Sequence, residues 1–317
     1  MENSDKAARH PVFAGVEMGI GTWAWGDRYF WGYGQNYNQS DIQDAFSCAV
    51  NNGITFFDTA EVYGIGQSET MLGQFCKQVD VPIQVASKCF PFPWRLNRRA
   101  LHRALKGSLK RLGMDKLDLY QMHFPYPPVN IRTWMSGMAE AVHAGWIGAV
   151  GVSNYNRAQT QLAYDALAAE GIPLASNQME YHLLNRKIEK DGLLQHCLDL
   201  GVTVIAYSPL ASGILTGKYS AQNLPGGFRS GRYNRRSLSI IKPLVDLLVK
   251  IGADHAGKSA AQVAINWTIC KGTVPIPGGK SLQQVEQNIG ALGWRLTDEE
   301  VDRLDQASDR VLKTLGW

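Results

Sequence analysis

Ile54-Thr55-Phe56-Phe57-Asp58-Thr59-Ala60-Glu61-Val62-Tyr63-Gly64 begins as an apolar, β-branched run and breaks into polar residues and a glycine. Six residues of that composition suit a strand buried on both faces. Such strands belong to parallel sheets covered by helices, so the stretch predicts a βα unit. The pattern recurs. Short apolar runs occupy residues 18–22, 54–59, 83–88, 118–123, 149–154, 176–181, 202–208 and 273–278.

Helix signals fill the gaps. Ser40 as N-cap and Gly53 as terminator bracket the first helix, and Asn97 opens an amphipathic stretch that closes near Gly113. Others end at Gly145, Gly171 and Gly201, one runs from about 259 to 271, and Thr297-Asp298-Glu299-Glu300 reads as a capping box. Eight strands alternating with helices close most simply into an α/β fold of the (β/α)8 TIM barrel type. Such barrels use about 250 residues or more as one unit, so residues 1–317 are expected to form a single domain. Two connections, 124–133 and 211–237, are longer than a barrel needs and are candidate binding loops.

With 45% hydrophobic and 19% charged residues, the chain is neither disordered nor fibrous. A net charge of +4 on scattered Lys and Arg argues against a nucleic-acid partner. Five cysteines without a C-x-x-C indicate neither a disulfide framework nor a zinc site and fit a reducing compartment. Residues 1–17 lack an apolar run, and no stretch approaches 18 uninterrupted apolar residues. A cytoplasmic protein, without membrane or metal and acting as a monomer or small homo-oligomer, is the expectation.

Active sites of such barrels gather at the carboxyl ends of the strands. Those ends carry Asp58 and then Tyr63, Lys88, Gln121 and His123, Ser153 and Asn154, and Asn177 and Gln178. Asp, Tyr, Lys and His on one face suit proton delivery to a carbonyl that receives a hydride. A free phenol has a pKa near 10, and an adjacent ammonium lowers it. Lys88 is that cation; a drop of about 3 units would correspond to about 4 kcal/mol. Asp58 holds the ammonium, and His123 donates a hydrogen bond to the substrate oxygen.

Phe57-Asp58-Thr59-Ala60-Glu61-Val62-Tyr63-Gly64 with Gly66, Ser68 and Glu69 resembles the signature of the aldo-keto reductase superfamily, and Lys88 and His123 match its other two catalytic positions. The resemblance spans about residues 16–310 and implies NADPH-dependent reduction of an aldehyde or ketone. It implies that Ser153, Asn154 and Gln178 hold the nicotinamide carboxamide, that Gly21, Thr22 and Trp23 line the site beside it, and that Tyr207 stacks on the ring. Ser208, Leu210, Gly213 and Lys218 fall in the pyrophosphate region, and Gln284, Gln287 and Asn288 at the adenosine end. Many relatives carry Arg and Glu where Gln284 and Gln287 stand, which leaves NADH open beside NADPH.

Gly19-Ile20-Gly21-Thr22-Trp23-Ala24 formally fits G-x-G-x-x-A, but the Gly- and aromatic-rich residues that follow open no helix, so a Rossmann phosphate site is rejected. The better anion site is Gly278-Gly279-Lys280-Ser281, a Gly-rich turn entering a helix over 282–292, with Lys280 facing a 2′-phosphate. Trp25, Trp31, Phe90, Trp94 and Phe124, with Trp23, are candidates for an apolar substrate wall. Arg229, Arg232 and Arg235 are placed to close over substrate or pyrophosphate. Two other readings compete: a channel-associated binding subunit of the kind found in this superfamily, and a lyase or isomerase in which Lys88 forms a Schiff base.

Overall fold

The computed structural model describes residues 9–317, with the side chains of residues 228 and 229 outside that description. Eight parallel strands lie in sequence order: β1 (Ile20–Gly21), β2 (Phe56–Asp58), β3 (Gln84–Cys89), β4 (Leu117–Met122), β5 (Ile147–Ser153), β6 (Leu174–Glu180), β7 (Thr203–Tyr207) and β8 (Val274–Ile276). All eight expected runs are strands, with ends shifted by a residue or two. The ring closes where Gly21 bridges Gly278 and the Gly19 and Gly21 N–H groups donate to Pro275 and Pro277. A Cβ on Gly21 would stand 2.9 Å from the Ile276 carbonyl oxygen, so this seam requires glycine. The Gly19-x-Gly21 pattern therefore serves barrel closure.

Local chemistry explains most boundaries. The helix Arg98–Leu112 begins where Asn97 accepts Ala100 N–H and stops at Gly113, whose φ of 65° takes the left-handed conformation. Helices Ala260–Cys270 and Asp298–Leu315 carry capping boxes on Ser259 and Thr297. The first helix departs from expectation. It runs Gln39–Asn51 with Asn38 as N-cap, because Asn38 and Asp41 cap each other's backbone and Ser40 falls inside the first turn. The connection after β7 is partly ordered, with 3-10 turns at Ala211–Thr216 and Gly227–Gly231 before the helix Arg235–Asp254.

Alternation along the strands sorts the barrel interior into two layers. Phe56, Ala86, Leu119, Ala149, Ala175, Ile205, Val274 and Ile276 form an apolar layer, packed against Phe13 and Val16 of the N-terminal segment. Two residues further along β2, β3, β4 and β7 stand Asp58, Lys88, Gln121 and Tyr207, the start of a polar layer.

Candidate active site

The polar layer is organised around an ion pair with almost no solvent contact: Lys88 is 0% and Asp58 2% exposed. The Lys88 ammonium donates to Asp58 Oδ1, to the Thr59 carbonyl at 2.9 Å and to Tyr63 Oη at 3.4 Å. Three N–H donors meet three acceptors, so the amine is saturated. Burial alone would depress its pKa, but Asp58 and Tyr63 outweigh burial and raise it. Lys88 therefore stays protonated and lacks the lone pair that a Schiff base needs.

Tyr63 follows β2 in a 3-10 turn, Tyr63–Gly66, entered through the Glu61-Val62 turn in which the Tyr63 N–H donates to the Ala60 carbonyl. Here one expectation is corrected. Burial pushes the Tyr63 phenol above its ordinary value of 10.0, Lys88 pulls it down and Asp58 pushes it up, and the net shift is upward. Lys88 reduces that rise without reversing it. Tyr63 is thus protonated at neutral pH, with the Lys88 ammonium held beside its oxygen.

His123 follows directly after β4, 9% exposed, in an aromatic cage: its ring lies 5.9 Å from Tyr63, 5.7 Å from Phe90 and 5.0 Å from Phe124, stacked on the last. Burial and then Lys88 hold its pKa well below 6.5, so the imidazole is neutral. Nδ1 is buried with no hydrogen-bond partner among the described residues.

The remaining wall is aromatic. Trp23 lies 6.4 Å from the Tyr63 ring and 5.5 Å from Trp31, which continues the surface away from Tyr63. Phe90, Phe124 and Tyr126 flank His123 on the other side. Two expected wall residues lie elsewhere. Trp25 is 0% exposed and donates Nε1–H to the Gly279 carbonyl at 2.8 Å, so it braces the turn after β8 from within the core. Trp94 is 71% exposed and stacks on Phe92, one ring beyond Phe90.

At the ends of β5 to β7, Ser153 Oγ donates to the Gln178 carbonyl at 3.0 Å, Asn154 Nδ2 donates to Ser153 Oγ at 3.0 Å, and Tyr207 Oη donates to Asn154 Oδ1 at 3.0 Å. Asn154, Ser208, Ala211 and Ser212 have φ of 62°, 54°, 50° and 55°. Each costs a non-glycine residue on the order of 1 kcal/mol, and such clusters mark ligand sites. Leu210 and Gly213 lie in the same strained turn, and exposed Lys218 lies over the Tyr219 ring.

After β8, Gly278 is exposed, and a Cβ there would meet nothing within 4 Å, an open cradle at the entrance to helix Leu282–Ile289. Lys280 lies over the Tyr37 ring at 4.2 Å and the Trp31 ring at 5.7 Å. Gln284 folds back so that Oε1 accepts the Lys280 N–H at 3.1 Å, engaging one backbone donor of the turn. Gln287 is exposed, whereas Asn288 turns inward and donates to the Gly278 carbonyl at 3.1 Å, bracing the cradle. The dinucleotide fits this arrangement: open space at Gly278, a strained turn after β7 and polar side chains at the ends of β5 and β6 form one rim.

Other signature residues are scaffold. Thr22 is fully buried, its hydroxyl donating to the Asp58 carbonyl and paired with Ser68 at 2.7 Å, which leaves its side chain unavailable to a ligand. Glu69, 0% exposed, accepts from Ser87 at 2.5 Å and Arg111 at 2.6 Å, tying β3 to two helices. Arg232 stacks over Trp317 at 4.4 Å and Arg235 starts a helix, while the Arg229 side chain lies outside the described residues. Sequence reasoning missed the role of Gln121, which donates to Asp58 Oδ2 at 3.0 Å. Its two-residue offset from Leu119 on one side and His123 on the other was the available signal.

Known proteins place this arrangement. Residues 17–309 match the Aldo/keto reductase family. Pyridoxal reductase, chloroplastic, of Arabidopsis thaliana is 42% identical over 94% of this chain and 84% of its own length. The structure of an aldo/keto reductase from Klebsiella pneumoniae in complex with NADP and acetate is 30% identical, covers 92% of this chain and 90% of its own, and superposes with a TM-score of 0.72. A glycerol dehydrogenase from Gluconobacter oxydans is 26% identical with a TM-score of 0.82 over 93% of this chain and 92% of its own. The buried Asp58–Lys88 pair, the phenol beside it and the match over nearly the whole chain lead to one conclusion: this protein belongs to the aldo/keto reductase family and is an oxidoreductase.

Proposed function

We propose that this reductase converts an aldehyde or ketone to its alcohol with NADPH, and that Tyr63 is the proton donor. The observation that carries the reading is Lys88 Nζ, held by Asp58 and Thr59 with its third N–H directed at Tyr63 Oη. Bound NADPH supplies the hydride. Tyr63 holds its proton throughout the neutral range and releases it as charge develops on the carbonyl oxygen, with Lys88 fixed beside the phenolate. Neutral His123, caged by aromatic rings, would donate to the substrate oxygen from Nε2.

Ser153, Asn154 and Gln178 would hold the carboxamide, Tyr207 the ring face, Ser208, Leu210, Gly213 and Lys218 the pyrophosphate, and Gly278 and Lys280 the 2′-phosphate. Gln284 and Gln287 add neutral contacts only, so discrimination against NADH rests on Lys280. The NADP in the Klebsiella complex supports this choice. No described helix is long and apolar enough to cross a membrane. The cytoplasmic location is part of the same reading and rests on five free cysteines.

The aromatic run Trp31, Trp23, Tyr63, Phe90, Phe124 and Tyr126 favours a flat ring beside the reacting carbonyl, and the Arabidopsis relative is named for pyridoxal. An aromatic aldehyde of that kind is the substrate class we favour. The test is NADPH consumption by purified protein with 4-nitrobenzaldehyde, pyridoxal and an aliphatic aldehyde of similar size. Turnover, faster with the two aromatic compounds, is expected. Cofactor binding without turnover would favour the binding-subunit alternative. Borohydride should leave Lys88 unmodified, and a trapped adduct there would replace the reductase mechanism with a Schiff-base one.

A further inference from the structure

Asp58 has a second oxygen, and its partners are both amides. Oδ2 accepts from Gln121 Nε2 at 3.0 Å and from Gln178 Nε2 at 2.8 Å, and Gln178 Nε2 also reaches Gln121 Oε1 at 3.4 Å. All three residues are 0–2% exposed. Amide ends are often interchangeable, but here they are not: a carboxylate only accepts, so each glutamine must turn its nitrogen toward Asp58. Both N–H groups of Gln178 are then committed inward. Its Oε1 accepts from no group among the described residues and is not sealed like the partnerless atoms of the core. It is the end offered to the pocket.

We propose that Asp58, beyond pairing with Lys88, fixes the hydrogen-bond polarity of Gln178, so that the site presents an acceptor and selects a cofactor carboxamide through its N–H2. The inference rests on the cofactor reading above. The ion pair and the cofactor contact then share one carboxylate: Oδ1 holds Lys88, and Oδ2 sets which end of Gln178 faces outward. Gln121 is a second anchor on Oδ2 and does not decide the polarity, because Gln178 reaches Oδ2 independently.

Asp58→Asn should invert this arrangement. Lys88 only donates, so the asparagine oxygen must stay with Lys88, and its N–H2 must face the glutamines. Gln178 then turns its oxygen inward and offers N–H groups to the pocket. The experiment is calorimetric binding of NADP+ and of its 3-acetylpyridine analogue, whose acetyl group accepts but cannot donate, to wild type, Asp58→Asn, Gln178→Met and Gln121→Met. Wild type should bind NADP+ about 5- to 10-fold more tightly than the analogue, the size of one hydrogen bond. The ratio should fall to about one or invert in Asp58→Asn, fall to about one in Gln178→Met, and persist in Gln121→Met. General loosening of the site would weaken both ligands together and leave the ratio unchanged.

A wild-type ratio in folded Asp58→Asn overturns the inference, as does a wild-type ratio in Gln178→Met, which stands as the test if Asp58→Asn does not fold. Loss of the ratio in Gln121→Met overturns the assignment to Asp58. If wild type binds no NADP+, the cofactor reading itself has failed; if it binds with unchanged discrimination in the variants, only this inference has.

Discussion

Two layers of side chains fill the barrel, two residues apart on the same strands, and they do opposite work. The lower layer, including Phe56, Ala86 and Leu119, is apolar and closely packed. The upper layer, with Asp58, Lys88 and Gln121, holds a buried ion pair whose desolvation is offset only by a nearly complete set of partners. The lower layer could be repacked with other apolar residues of similar volume, whereas each member of the upper one depends on the donor and acceptor pattern of its neighbours. On the proposed function, stability and chemistry are separated by one step of strand periodicity.

Breaking the upper layer should have the largest effect. Lys88→Met leaves Asp58 buried and uncompensated, and loss of about 3–5 kcal/mol in denaturant unfolding is expected, with carbonyl reduction falling by a factor on the order of 10³. Leu119→Ala, one layer down, should cost a comparable 2–5 kcal/mol while turnover per folded molecule holds, measured by unfolding and active-site titration. If Leu119→Ala abolished turnover in folded protein, the two layers would not be separable.

Smaller effects sharpen the same contrast at the rim proposed for the cofactor. Lys280→Ala should reduce the preference for NADPH over NADH about tenfold without changing the rate at saturating cofactor. Steady-state kinetics with both cofactors would show it, and an unchanged preference would remove Lys280 from the 2′-phosphate. The smallest change is expected with pH. His123 stays neutral below 6.5 and Tyr63 stays protonated above 10.0, so the rate of reduction should be flat between those limits. The stability signs follow. Depressed His123 makes the fold lose stability as pH falls below 6.5, where only the unfolded chain takes the proton, and elevated Tyr63 makes it lose stability as pH rises above 10.0. A rate limb near pH 7 would assign a titrating group that these environments exclude.

Much of this was legible in the sequence because strand periodicity and strand-end chemistry are local. The eight runs and the residues Asp58, Tyr63, Lys88 and His123 lie where their spacing places them. Partnership across the barrel is not local. Nothing in the run around Trp25 says that its indole N–H meets Gly279, and nothing near Gln284 says that it folds onto the Lys280 N–H. The direction of the Tyr63 shift is a balance between burial and two opposite charges, and spacing reveals the charges but not the burial. The helix start at Asn38 was misplaced for a simpler reason, since Asn38 and Ser40 are both good caps and only the reciprocal bond to Asp41 separates them.

The central claim is that the upper layer delivers a proton through Tyr63, and Tyr63→Phe tests it most directly, because it removes one oxygen and keeps the ring against Trp23 and His123. Single-turnover oxidation of bound NADPH by 4-nitrobenzaldehyde should slow by about 10²- to 10⁴-fold in this variant, with NADPH affinity unchanged. A variant that binds NADPH normally and keeps most of the wild-type rate would contradict the account.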